Sequence, residues 1–179
     1  MLFERLEISD IILIEPTIHG DERGYFLETF RQDLFEDFIG KKVNFIQDNE
    51  SKSNKGVLRG LHYQLPPYEQ AKLVRVIKGS VLDVVVDIRK SSPTFGNSVT
   101  VELSDKNKHQ LFIPRGCAHG FVVLSHEAIF AYKVDNIYKP EFEKGIIFND
   151  KALNINWILP KNELRLSDKD QELCGFKEL

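Results

Sequence analysis

Apolar positions along the chain fall in short runs cut by turn residues, and their rhythm is mostly that of strands. Ile11-Ile12-Leu13-Ile14 is an apolar run stopped at Pro16, and the polar stretch 17–24, with two glycines, reads as a loop. Residues 25–30 alternate and read as a strand. Helical spacing is clear once, at Leu34, Phe35 and Phe38, which predicts a short helix over 32–38 with Gly40 as its stop. Residues 43–47 read as a strand, 48–56 as a polar loop, and 57–64 as a strand closed by Pro66-Pro67.

The strongest signal is a pair of runs rich in β-branched residues, 72–77 and 81–88, joined at Lys78-Gly79, which reads as a β-hairpin. Further strands are expected over 98–103 and 110–114, with a second hairpin made by 120–124 and 128–134. Beyond Asn136 the pattern loosens: Ile155-Asn156-Trp157 is a short strand candidate, and 166–173 a terminal helical turn or packed tail. Turn signals every eight to twelve residues between short strands predict an antiparallel sandwich or barrel. No linker or repeat divides the chain, so 1–179 is read as one domain. The mouth of such a barrel is a usual place for a ligand.

Composition narrows the function classes. The chain has 42% hydrophobic and 28% charged residues, a globular profile, and a net charge of -3 with no Lys/Arg block. That speaks against a nucleic-acid arm. Met1-Leu2-Phe3-Glu4-Arg5 lacks the form of a signal peptide, and no apolar run reaches the roughly 18 residues of a membrane span. Two cysteines, Cys117 and Cys174, make neither a disulfide framework nor a four-ligand zinc site. Reduced thiols and a cytoplasmic setting are expected.

Several polar residues stand where a packed strand would not want them. Alternation from Leu58 puts Arg59, Leu61 and Tyr63 on one face, and Gly60, His62 and Gln64 on the other. His62 fits a satisfied structural histidine as well as a site residue. Lys72, opening its strand, fits solvated surface or a site. Arg75, in mid-strand, needs water or a carboxylate, and Asp83 or Asp87 could pair with it across strands. His119 lies between Gly116 and Gly120, in a turn or where backbone meets a ligand. Tyr132 shares a face with Phe130 and Val134, and a buried tyrosine ordinarily needs only a partner for its hydroxyl. Barrels that bind metal commonly offer two histidines two residues apart. None of His19, His62, His109, His119 and His126 are so spaced, so no metal is expected. No glycine-rich phosphate loop is present either, which leaves phosphate recognition to Arg and Lys side chains.

Taken together, several stretches resemble the dTDP-4-dehydrorhamnose 3,5-epimerase family over nearly the whole chain. They are Asp21-Glu22-Arg23-Gly24-Tyr25-Phe26-Leu27-Glu28-Thr29-Phe30, Gln47-Asp48-Asn49 with Ser51 and Ser53, and Gly56-Val57-Leu58-Arg59-Gly60-Leu61-His62-Tyr63-Gln64. To these add Lys72-Leu73-Val74-Arg75-Val76, Asp83-Val84-Val85-Val86-Asp87-Ile88-Arg89, Ala118-His119-Gly120-Phe121, Tyr132, Tyr138-Lys139-Pro140 with Glu143, and Leu166-Ser167-Asp168-Lys169-Asp170.

The resemblance implies an all-β, cupin-type jelly-roll barrel with short flanking helices, working without metal or organic cofactor as a homodimer. It implies 3,5-epimerisation of a dTDP-linked 4-keto-6-deoxy sugar, the third step toward dTDP-L-rhamnose. It makes His62 the general base, Asp170 its orienting carboxylate (with Asp168 the fallback), Tyr132 the general acid, and Lys72 the group beside the enolate oxygen. Arg59 and His119 would share the pocket. Arg23 would meet the diphosphate, Glu28, Gln47 and Asn49 the nucleoside end, and Tyr138 the base, with Glu143 and Lys169 completing the shell. Arg23, Phe26 and Glu28 can come from the partner subunit. A 3,4-ketoisomerase and a non-catalytic nucleotide-sugar binder are the rival readings.

Overall fold

The computed structural model describes residues 1–179. In chain order the strands are β1 (Leu2–Arg5), β2 (Ile12–Glu15), β3 (His19–Asp21), β4 (Gly24–Phe26), β5 (Gln47–Asn54), β6 (Leu58–Gln64) and β7 (Lys72–Lys78). They continue as β8 (Ser80–Asp87), β9 (Ser98–Ser104), β10 (Gln110–Ile113), β11 (Cys117–Val123), β12 (Glu127–Val134) and β13 (Glu143–Gly145). Two short helices accompany them, α1 (Gln32–Ile39) and α2 (Asp168–Gln171). No helix is long and apolar enough to cross a membrane.

Two antiparallel sheets face one another, one ordered β1-β2-β10-β7-β12-β5 and the other β13-β6-β11-β8-β9, while β3 and β4 form a separate ribbon. This is the jelly roll of the cupin type, and α1 and α2 are its flanking helices. Between the sheets lies an apolar core that includes Val74, Val76, Val81, Val85, Leu111, Phe121 and Phe130. Each outer face is also covered. Helix α1 drives Phe35 against Ile12, Ile14, Leu73 and Phe112 on the first sheet. The C-terminal segment lays Ile146, Phe148, Leu153 and Trp157 on Leu58, Leu82, Val84 and Val86 of the second. Strand β8 is thus buried on both faces, which is why its sequence is apolar at successive positions rather than alternating, with Asp83 and Asp87 as buried exceptions. Full burial of each such side chain is worth about 1.5–3 kcal/mol.

Helix α1 and its stop at Gly40 agree with the sequence reading: Gly40 adopts φ 72° and its N–H bonds the Glu36 carbonyl. Both expected hairpins do not form. β7 pairs with β10 and β12, whereas β8 pairs with β9 and β11. β11 and β12 likewise lie in opposite sheets. The short connection at Gly79 carries the chain across the sandwich instead of folding it back. There φ is +81°, the N–H bonds Asp105 Oδ2 at 2.8 Å, and a Cβ would sit 2.1 Å from the Glu127 carbonyl oxygen.

The expected polar loop over 48–56 is mostly strand β5, paired along its whole length with β12, while 43–46 is not strand. Polar residues are stable there because β5 is an edge strand with solvent on one side and a cavity on the other. Residues 25–30 supply only the end of the exposed β3–β4 ribbon, and 155–157 is irregular chain.

Candidate active site

At one end of the sandwich the apolar core gives way to a cavity of about 330 Å³, within the usual range for ligand sites. Its lining includes Ser51, Arg59, His62, Lys72, His119, Phe121, Phe130, Tyr132, Ser167, Lys169 and Asp170. Lys72 and Tyr132 come from the β1-containing sheet, and His62 and His119 from the opposite sheet, so the cavity has two chemically different walls.

The β6 wall depends on a bulge. His62 pairs with His119 and Arg59 with Phe121, so β6 spends two intervening residues where β11 spends one. The extra residue shifts the phase of alternation, and Arg59 and His62 both line the cavity, contrary to simple alternation. Gly60 and Gly120 make this approach feasible. A Cβ on Gly60, at φ +113°, would lie 2.6 Å from Gly120 Cα, and one on Gly120 would lie 2.7 Å from the Arg59 carbonyl oxygen. Arg59 is steadied by its Nε donating to Ser53 Oγ at 3.1 Å.

His62 Nε2 lies 2.6 Å from Asp170 Oδ1. Asp170 stands on α2, whose Ser167 cap accepts the Asp170 backbone N–H. Burial works to raise Asp170, but the hydrogen bond and charge of His62, aided by Lys169, outweigh it and leave the carboxyl below its ordinary range. Asp168, the fallback partner, is exposed and does not reach His62. The other imidazole nitrogen, Nδ1, stands 4.0 Å from Glu143 Oε1. Glu143 Oε2 accepts from Tyr138 Oη at 2.6 Å and from Lys169 Nζ. The Glu143 bond pushes the Tyr138 hydroxyl up to about 12.

A second histidine–carboxylate pair went unrecognised in the sequence. Asp83, fully buried on β8, lies 2.9 and 3.1 Å by its two oxygens from His119 Nε2. A carboxylate in such a core requires a partner. Arg75 is not that partner, because β7 and β8 separate into different sheets. Asp87 is taken by Arg89, Ser92 and Thr94. Arg75 lies instead in an outer depression with Asp48, Glu50 and Lys133 and has no ion pair. Long-range pairing within one sheet gives no local sequence signal, which is why the Asp83–His119 contact was missed.

Burial lowers Lys72 to about 8, against the opposing pull of Asp83, Glu143 and Cys117. Burial raises the Tyr132 hydroxyl, with Arg59 pulling down and Glu143 pushing up. Gln47 and Asn49 share the inner side of β5, joined by a 2.8 Å bond from Gln47 Nε2 to Asn49 Oδ1. They stand in register with Val134 and Tyr132. Ser51 and Ser53 are on the same side, and the charged Asp48, Glu50 and Lys52 point out. That split between uncharged and charged polar residues is the signal that could have identified a cavity-lining strand.

Seven expected residues are not among those that line the cavity within the protomer: Gln47, Asn49 (which lines the outer depression with Arg75), Tyr138 with its partner Glu143, and Arg23, Phe26 and Glu28. Arg23 and Phe26 are exposed on the β3–β4 ribbon, where Arg23 pairs with Asp21, and Glu28 faces Arg31 at 3.5 Å. No three His, Cys, Asp or Glu side chains are gathered as a metal-binding group.

The family model for dTDP-4-dehydrorhamnose 3,5-epimerase matches residues 5–178. The chain belongs to that family. The dTDP-4-dehydrorhamnose 3,5-epimerase of Shigella flexneri is 59% identical over 166 residues, covering 93% of this chain and 91% of the relative. The solved structure of the enzyme of that name from Elizabethkingia anophelis NUHP1 matches with TM-score 0.96 at 49% identity, covering 99% of this chain and 97% of that one. A dTDP-6-deoxy-D-glucose-3,5-epimerase from Legionella pneumophila Philadelphia 1, solved with dTDP-4-keto-L-rhamnose, matches with TM-score 0.94 at 48% identity, covering 98% and 93%. As a member of the 3,5-epimerase family the chain is an isomerase, and the cavity between its two walls is the place to look for its chemistry.

Proposed function

We propose that this epimerase converts dTDP-4-dehydro-6-deoxy-D-glucose to dTDP-4-dehydro-L-rhamnose by acid–base chemistry between the two walls of the cavity. The observation that carries the reading is the placement of His62 and Tyr132 on facing sheets with Lys72 in the same cavity. The C4 ketone acidifies the hydrogens at C3 and C5. His62 Nδ1, its ring held by Asp170, takes the proton from carbon, and the C–H electron pair moves through the new C=C bond onto the C4 oxygen. The Lys72 ammonium stabilises that enolate oxygen. Tyr132 then delivers its proton to the opposite face of the same carbon as the C=O bond is restored. His62 is left protonated and Tyr132 ionised, and exchange with water resets both. A second cycle inverts the other centre. The scheme uses no metal and no organic cofactor.

Arg59 and His119 hold the sugar-side groups, and Gln47 and Asn49 the nucleoside end. Tyr138, fixed by Glu143 together with Lys169, forms the rim against the base. Arg23, Phe26 and Glu28 reach the cavity of a second copy in a homodimer. The exposure of Tyr25 and Phe26 on a ribbon that pairs with neither sheet supports this. The deciding experiment is turnover of the keto sugar in deuterated water. Label is expected at both C3 and C5 of the product. Label at one position would make this a single-centre epimerase, a shifted carbonyl would make it a ketoisomerase, and no exchange or turnover would leave only a binder.

A further inference from the structure

The Asp83–His119 pair invites a question that the acid–base scheme leaves open: what His119 presents to the substrate. An imidazole beside an enolate could serve as a cationic donor or as a neutral acceptor, and the two make opposite demands on the sugar. Asp83 decides between them by position. Both of its oxygens address one ring nitrogen, Nε2. An ionised carboxylate only accepts, so Nε2 must carry the hydrogen. In a neutral ring Nδ1 then has only a lone pair. His119 Nδ1 has no hydrogen bond to protein, yet no buried side-chain N or O atom lacks a partner. Nδ1 is therefore open, and the space that this ring lines is the cavity.

The surroundings of the ring favour the neutral form. Burial lowers His119, Lys72 and His62 push the same way, and Asp83 alone pulls upward without reversing the outcome. No second carboxylate bonds the ring. Phe130 lies against its face at 6.1 Å between centroids, which adds apolar cover.

We propose that Asp83 is a positioning residue that fixes His119 as the neutral Nε2–H tautomer, so that His119 offers Nδ1 to the cavity as an acceptor for a sugar hydroxyl. The positive charge at the ketone oxygen then comes from Lys72. The proposal rests on the 3,5-epimerase reading for its substrate, but the tautomer itself does not depend on any reaction.

The test uses the full-length protein labelled with 15N-histidine, followed by NMR between pH 6 and 8, with the His119 signals assigned by their loss in His119→Asn. A protonated Nε2 and an unprotonated Nδ1, unchanged across that range, are expected. A protonated Nδ1, or a doubly protonated ring at pH 7, would overturn the proposal. In Asp83→Asn the amide can donate to Nε2, which releases the tautomer. Nδ1–H should appear in the spectrum, and kcat should fall roughly tenfold to hundredfold while dTDP binding persists. Wild-type kcat in a folded Asp83→Asn protein with the switched tautomer would also overturn it. Should that variant not fold, the wild-type spectrum still decides. Failure of the epimerase reading looks different: no solvent label in the sugar, with the His119 spectrum as expected.

Discussion

The two histidine–carboxylate pairs in this barrel are built alike and placed differently. His62 and His119 are direct partners across β6 and β11, and each gives Nε2 to an aspartate. The side chain of His62 is 26% exposed and its carboxylate arrives from α2, outside the sheets. That of His119 is 8% exposed and its carboxylate is fully buried on the adjacent strand. A ring that meets water on one side and a carboxylate on the other can gain and lose a proton during turnover. A ring sealed between strands and lowered by burial is better suited to holding one protonation state. In the proposed scheme the same two residue types serve as a proton carrier in one setting and a fixed dipole in the other, and the difference is accessibility.

Deleting the ring of His62 is the sharpest way to break this contrast. His62→Ala should lose about 10²–10⁴-fold in deuterium exchange at C3 and C5, the span a positioned general base supplies, while still binding dTDP. Undiminished exchange would remove His62 as the base and erase the functional difference between the two pairs.

The next largest effect concerns the bulge that lets His62 and Arg59 face the same cavity. Gly60→Ala would place a methyl against Gly120 Cα and the His119 carbonyl oxygen at a positive φ. Backbone must move on both strands that carry the two histidines. We expect a loss of about 2–4 kcal/mol, near the upper end for single substitutions, read as a lowered melting temperature, together with loss of exchange in whatever folds. A fully active, equally stable variant would show that the phase shift is not what aligns the pairs.

The sequence was most informative where burial is one-dimensional. The β-branched runs on either side of Gly79 announced strands, and Leu34, Phe35 and Phe38 announced α1. It misled where the third dimension decides. The runs on either side of Gly79 look like a hairpin because a short glycine turn serves a hairpin and a sheet-to-sheet corner equally well. Asp48, Asn49, Glu50 and Ser51 look like loop because polarity signals contact with water, and β5 meets water outside and a polar cavity inside. The alternation rule misplaced Arg59 because one inserted residue inverts every later side chain. Of the site, Arg59, His62, Lys72, His119, Tyr132, Lys169 and Asp170 line one cavity, whereas Gln47, Asn49, Tyr138 and Glu143 are not among its lining residues. Asp83 was one of two possible partners offered for Arg75, with Asp87, and its pairing with His119 over 36 residues leaves no local trace.

The smallest effect is graded and tests how far the buried pair reaches into the chemistry. Lys72 lies near Asp83 of that pair, and also near Glu143, His119 and Cys117. Burial disfavours its ammonium and the acidic groups restore part of it, for a value of about 8. The sign follows directly. Below that pH Lys72 is charged and can stabilise an enolate oxygen, and above it the charge is lost. We expect kcat/KM to be level toward neutral pH and to fall through about 8, approaching tenfold per pH unit beyond it, the slope for loss of one proton. Lys72→Met should abolish this limb and leave a low, flat rate there. Burial keeps the Tyr132 hydroxyl above its ordinary value, so its ionisation belongs to a higher pH and does not imitate this fall. A limb that persists in Lys72→Met would assign it to another group and would separate Lys72, and with it Asp83, from the enolate.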